Sequence, residues 1–233
     1  MLILIKKAVI VNSKGVSKEP QDILIEKGVI LKIGKILEPE AKVIEANGKY
    51  VLPGLIDLHC HLREPGFEHK ETIETGSRSA AKGGFTSIVC MPNTNPVLDN
   101  AKVVEGLLRE AKRVGLVHIF PAGAITKGQK GEDLSDILEL KEAGCIALSD
   151  DGKSVQNSQL MRHALEYAKM ANLLIMEHCE DATISKGVMN EGFYSTLLGL
   201  KGVPEVAETI IVARDIELAR YLKTRIHFCH ISA

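Results

Sequence analysis

Two hydrophobic patterns divide the chain. Residues 1–50 carry short apolar stretches broken every few positions by polar or turn-forming residues, with no helical period of useful length. Ile23-Leu24-Ile25-Glu26, then Lys27-Gly28, then Val29-Ile30-Leu31-Lys32 reads as a β-hairpin, with Gly28 available for a positive φ in the turn. This part is expected to be a small β layer. From residue 51 the pattern becomes strand, loop, helix, repeated. The apolar runs 51–58, 87–91, 117–121, 145–149, 173–177 and 226–229 suit strands buried on both faces. Between them, Val103, Val104, Leu107, Leu108 and Ala111 form one helical stripe, with Asp99 or Asn100 as cap and Gly115 beyond the end. Segments 134–143, 158–171 and 205–222 predict further helices. Such alternation predicts an α/β fold, a parallel sheet covered by helices. A barrel and an open doubly wound sheet fit it equally well.

Composition narrows the class without naming a function. The chain has 233 residues, 45% hydrophobic and 25% charged, with a formal net charge of −1. A core of ordinary size is expected, and neither a nucleic-acid binder nor a membrane protein is indicated. Five cysteines, an odd number without CxxC spacing, favour neither a disulfide framework nor a zinc finger, so a reducing cytoplasm is expected.

The chemistry-bearing residues fall at the ends of the expected strands. Asp57, His59 and His61 close the first, Asp150 and Asp151 the fourth, Glu177 and His178 the fifth, and His230 the sixth. In barrels of alternating strands and helices, catalytic groups gather at this rim. His59 and His61 are two apart, so both imidazoles share one side of an extended strand. Imidazoles with a carboxylate form a ligand set suited to a catalytic zinc ion, and a carboxylate can bridge two ions. Spacing does not decide between Asp150 and Asp151. By the same alternation, Cys60, Cys179 and Cys229, each adjoining a candidate histidine, are expected to point away towards the helices. His69, His118, His163 and His227 are expected to stay outside the site.

At these positions the chain resembles the dihydroorotase family, in its bacterial class I branch. The resemblance rests on Val51-Leu52-Pro53-Gly54-Leu55-Ile56-Asp57-Leu58-His59-Cys60-His61, with Leu62-Arg63-Glu64-Pro65-Gly66 after it. Cys-Met-Pro-Asn-Thr at 90–94, Ser-Asp-Asp-Gly at 149–152, Glu-His-Cys-Glu at 177–180 and His-Phe-Cys-His-Ile-Ser at 227–232 extend it. It implies a (β/α)8 TIM-type barrel of the amidohydrolase superfamily, strands one to six lying in this chain. The barrel would occupy 51–233 and the small β layer 1–50. It further implies a zinc-dependent cyclic amidohydrolase of pyrimidine biosynthesis, interconverting N-carbamoyl-L-aspartate and L-dihydroorotate. His59 and His61 would hold one metal ion, Asp151 would bridge, and His178 with His230 would hold a second. Arg63 and Asn93 would bind the substrate carboxylate, and Asp57 would accept from a ligand imidazole. Association with aspartate carbamoyltransferase and a homo-oligomeric state are also within the resemblance.

Three departures accompany it. No lysine stands where many relatives carry a carboxylated bridging lysine, so a single zinc ion on His59, His61 and Asp151 is the competing arrangement. Family members continue through two more strands, and their catalytic aspartate would lie beyond residue 233. The chain is therefore expected to be a fragment of a longer polypeptide, or one part of a split enzyme. Among other functions, a hydantoinase or allantoinase and a non-catalytic scaffold for aspartate carbamoyltransferase compete with this reading.

Overall fold

A computed structural model describes residues 1–233, which separate into two compact units, Met1–Gly54 and Leu55–Ala233. The first is a six-stranded sheet centred on β1 (Leu2–Asn12). Strand β1 pairs antiparallel with β2 (Gly15–Val16) and β3 (Gln21–Glu26), and β3 pairs antiparallel with β4 (Val29–Gly34). Strands β5 (Lys42–Glu45) and β6 (Tyr50–Val51) run parallel to β1. The expected hairpin is β3–β4. Lys27 (φ 48°) and Gly28 (φ 81°) both take the left-handed region, as a two-residue turn of type I′ requires. Leu4, Leu24 and Ile36 form the core of this unit.

The second unit holds six parallel strands: β7 (Leu55–Cys60), β8 (Phe85–Cys90), β9 (His118–Gly123), β10 (Ala147–Leu148), β11 (Leu174–Glu177) and, past a small parallel pair β12 (Met189–Asn190) and β13 (Gly202–Val203), β14 (Ile226–Phe228). The spatial order β7-β8-β9-β10-β11-β14 repeats the chain order without reversal. A doubly wound sheet reverses at a switch point, so the winding is that of a barrel. Curvature shows in the side chains. A flat sheet of six strands would hold its edges about 24 Å apart, yet His59 at the end of β7 and His230 beyond β14 have ring centroids 5.1 Å apart.

Helices cover one side only: α1 (Ile73–Lys82), α2 (Ala101–Val114), α3 (Ile137–Glu142), α4 (Ser158–Met170), the short α5 (Phe193–Leu198) and α6 (Val206–Leu222). Asn100, Asp136 and Asn157 cap α2, α3 and α4 through their side chains. Strand residues Ile88, Cys90, Leu148 and Ile175 pack with Val104, Leu107, Leu140, Met161 and Leu165 of the helices. Each large aliphatic group buried there contributes about 1.5–3 kcal/mol. The alternate strand residues Val89, Ala122, Ala147 and Met176 form the separate inner cluster.

Two boundaries differ from expectation. Residue Val51 belongs to β6 of the first unit, and β7 starts only at Leu55, because Pro53 offers no N–H to a ladder. Helix α1 is absent from the expected helices, its core side carrying little beyond Ile73 and Ala80. It buries only Ile73 and Ser77 and is held at its start by a capping box between Thr72 and Thr75.

Candidate metal centre

The loops that follow the strands place four imidazoles around one carboxylate. His59 is the last residue but one of β7 and His61 lies just past the strand, with ring centroids 5.3 Å apart. Asp151 follows β10 by three residues, and His178 directly follows β11. Asp151 Oδ1 is 3.1 Å from His59 Nε2, 3.5 Å from His230 Nε2 and 3.7 Å from His178 Nδ1, while Oδ2 is 3.5 Å from His61 Nε2. His178 Nδ1 and His230 Nε2 are 3.1 Å apart. Two groups of ligand atoms that could hold a metal ion result, His59–His61–Asp151 and Asp151–His178–His230, joined at the carboxylate.

The electrostatics centre on that carboxylate. Burial pushes the Asp151 pKa up, but the His59 hydrogen bond and the charges of His59, His61 and His178 prevail and hold it at about 2. The Asp151 hydrogen bond, with help from the Cys229 thiol, raises His59 to about 10. Burial lowers His61, and the charge of Arg63 adds to that effect. His61 Nδ1 donates to Asn93 Oδ1 (3.0 Å), which leaves its Nε2 lone pair facing Asp151.

Asp150 does not join the cluster. Its carboxylate turns away and accepts from the main-chain N–H groups of Ile125 and Thr126 and from the Thr126 hydroxyl. Burial raises its pKa to about 6. The structure therefore separates the two adjacent aspartates that spacing leaves equal.

Two expectations need correction. Asp57 does not reach a ligand ring; its Oδ1 accepts from the main-chain N–H of His59 at 2.9 Å. The β7–β8 register slips between Asp57 and Cys60, so Asp57 pairs with Ile88, whose side chain belongs to the helix-facing core. Strict alternation with His59 is lost there. Asn93, expected at the substrate carboxylate, also braces the cluster, accepting from His61 and donating to Asp151 Oδ2 at 3.0 Å. Cys229 does not point to the helices; it lies in the inner cluster with Met176 and Val89. The strand ends at Phe228 and His230 takes a left-handed φ of 34°, which resets the alternation. His227 pairs with Met176 in the β11–β14 ladder and stays below the cluster. Cys60 packs with the helix-facing core as expected.

Arg63 is half-buried with a φ of 62°, on the loop after β7. That loop meets the one after β8, where Asn95 N donates to Pro65 O at 2.9 Å. Glu180 was not anticipated. Its Oε2 lies 3.0 Å from His178 Nε2, and its trace in the sequence is the second glutamate of Glu-His-Cys-Glu at 177–180.

Residues 48–233 match the model of the family described as dihydro-orotase-like. Among curated relatives, a dihydroorotase from Acetivibrio thermocellus is 56% identical over 98% of this chain and 54% of its own length. One from Ruminiclostridium cellulolyticum is 53% identical over 100% of this chain and 55% of its own. The chain thus spans about half the length of the curated relatives it matches. Among solved structures, dihydropyrimidinase from Brevibacillus agri superposes with a TM-score of 0.79 at 22% identity, over 100% of this chain and 52% of that one. L-hydantoinase from Arthrobacter aurescens gives 0.78 at 22% identity, over 97% and 52%. These two share the fold.

Proposed function

The chain belongs to the dihydro-orotase-like family, and from that premise we propose that it is the metal-holding part of a zinc-dependent dihydroorotase interconverting N-carbamoyl-L-aspartate and L-dihydroorotate. The observation that carries this reading is the single Asp151 carboxylate shared by four imidazoles within 3.7 Å. Four neutral-capable nitrogens around one anionic oxygen donor suit a divalent zinc ion. The donor set also fits in detail. His61 has its second nitrogen engaged by Asn93 and His178 has its own engaged by Glu180, so each presents a lone pair inward.

His59, His61 and Asp151 would hold one ion, and Asp151, His178 and His230 a second. Zinc, when bound, supplies Lewis-acid polarisation of a carbonyl and lowers the pKa of a coordinated water to about 7. The chain's own residues do the rest. Asp151 offers one oxygen to three histidines and the other to His61, so a single carboxylate serves both groups without a modified lysine. Arg63, beside His61, offers a planar fork to a substrate carboxylate. Asn93 orients His61 and tethers Asp151. The inner apolar cluster of Val89, Met91, Met176 and Cys229 fills the space below and excludes water from that side.

The curated relatives, at about half identity, support the dihydroorotate reading over the hydantoinase one, since the hydantoinase structures share fold at 22% identity. The test is turnover of dihydroorotate, hydantoin and allantoin by the intact polypeptide, with zinc measured in parallel. Preferred turnover of dihydroorotate, abolished with the zinc in His61→Ala, is expected. Preference for hydantoin or allantoin would overturn the substrate assignment, and unchanged zinc in His61→Ala would overturn the ligand assignment.

A further inference from the structure

We propose that Glu180 is a positioning residue that fixes which ring nitrogen His178 presents to a metal ion, an inference that rests on the metal reading above. A neutral imidazole carries one proton, and the nitrogen without it is the ligand. His178 Nε2 lies 3.0 Å from Glu180 Oε2, and an ionised carboxylate can only accept. Nε2 therefore carries the proton, and the lone pair stays on Nδ1. That nitrogen is the one facing the cluster, 3.1 Å from His230 Nε2 and 3.7 Å from Asp151 Oδ1.

Glu180 is itself held in place. Its carbonyl oxygen accepts from Gln156 Nε2 at 2.9 Å, and Gln156 Oε1 accepts from Ala182 N at 3.1 Å. The segment behind His178 is thus tied to the loop that follows Asp151, so both ligands of the second group share one frame. Of the other ligands, His61 has its second nitrogen on an amide oxygen, and the buried Nδ1 of His59 has no hydrogen-bond partner. Glu180 is the carboxylate of the set. Its side chain is 44% exposed and lines two open cavities beside His178, so its removal takes nothing from the apolar core.

The experiment compares the intact wild-type protein with Glu180→Ala and Glu180→Gln. Metal-free protein is titrated with zinc against a chromophoric chelator, following the two equivalents separately. The imidazole nitrogens of the metal-free proteins are recorded by ¹⁵N NMR. Glu180→Ala is expected to weaken one equivalent by about 10–100-fold, to leave the other unchanged, and to convert His178 from the Nε2–H form to a mixture. Glu180→Gln, whose carbonyl oxygen can accept the same N–H, is expected to stay within a few-fold of wild type. Unchanged affinity and unchanged His178 spectra in Glu180→Ala, or equal losses in both variants, would overturn the inference. Wild-type protein that takes up no zinc would instead sink the metal reading on which it rests, a result visible before any variant is made.

Discussion

Asp151 Oδ1 and His59 Nε2 lie 3.1 Å apart, the shortest of the four histidine contacts to that carboxylate, and each moves the other's proton equilibrium in the opposite direction. His59 is raised from 6.5 to about 10, so its stabilising effect on the metal-free fold is complete below 6.5 and is lost as pH rises through 10. Asp151 is lowered from 3.8 to about 2, so its effect is complete above 3.8 and is lost as pH falls through 2. The pair is fully formed between these limits. On the zinc reading proposed above, a metal ion would displace the proton that the raised pKa keeps on His59 at neutral pH. Binding at pH 7 is therefore expected to release about one proton from this residue and to tighten about tenfold per pH unit towards 9. Calorimetry in buffers of different ionisation heats measures the release, and His59→Ala should remove it.

The two neighbouring aspartates should fail in different ways. Asp150→Ala leaves the buried N–H groups of Ile125 and Thr126 without an acceptor, at a cost of about 2–4 kcal/mol in unfolding free energy. Its zinc content should persist. Asp151→Ala should take up no zinc. Denaturant unfolding paired with metal analysis separates them, and zinc retained in Asp151→Ala would contradict the assignment.

Arg63 and Asn93 also separate by readout. Arg63→Lys keeps the charge but loses the fork, so KM for dihydroorotate should rise about tenfold or more with zinc affinity unchanged. Asn93→Ala acts through His61 and Asp151, so zinc affinity should fall about 10–100-fold. Steady-state kinetics beside a zinc titration decides. An altered KM with normal zinc binding in Asn93→Ala would return that residue to the substrate.

Gly66 marks the meeting of the two loops that carry these residues. It has a φ of +93°, and a Cβ there would come 2.0 Å from Asn95 O. Gly66→Ala is expected to cost about 1–3 kcal/mol of stability and, by parting Arg63 from the cluster, to lower kcat/KM about 10–100-fold. Wild-type kinetics in this variant would show that the two loops move independently.

Much of the fold and the site is legible in the sequence, because buried parallel strands are short unbroken apolar runs and their ends carry the polar residues. The five residues His59, His61, Asp151, His178 and His230 converge although they are distant in the chain. What stays illegible is local. Helix α1 has a single large apolar residue, Ile73, so no apolar run announces it although its charged and small residues fall on separate faces. Helix α5 leaves Phe193, Tyr194, Leu197 and Leu198 exposed, so its apolar letters do not mark a core face. Cys229 departs from expectation because alternation fails where the strand ends at Phe228 and His230 turns left-handed, and the register slip beside Asp57 is equally unmarked in residue type. Asp150 and Asp151 differ only in which way the chain turns after β10.

The two groups that share Asp151 are also separated in time. Every atom of the His59–His61–Asp151 group has been synthesised once residue 151 is in the chain, whereas the other group waits for His230, 79 residues later. At 5–20 residues per second that delay is roughly 4–16 s on the ribosome. On the two-ion reading proposed above, a nascent chain in that interval would carry the ligands of the first group alone, so strand order would also set the order in which the two groups become complete.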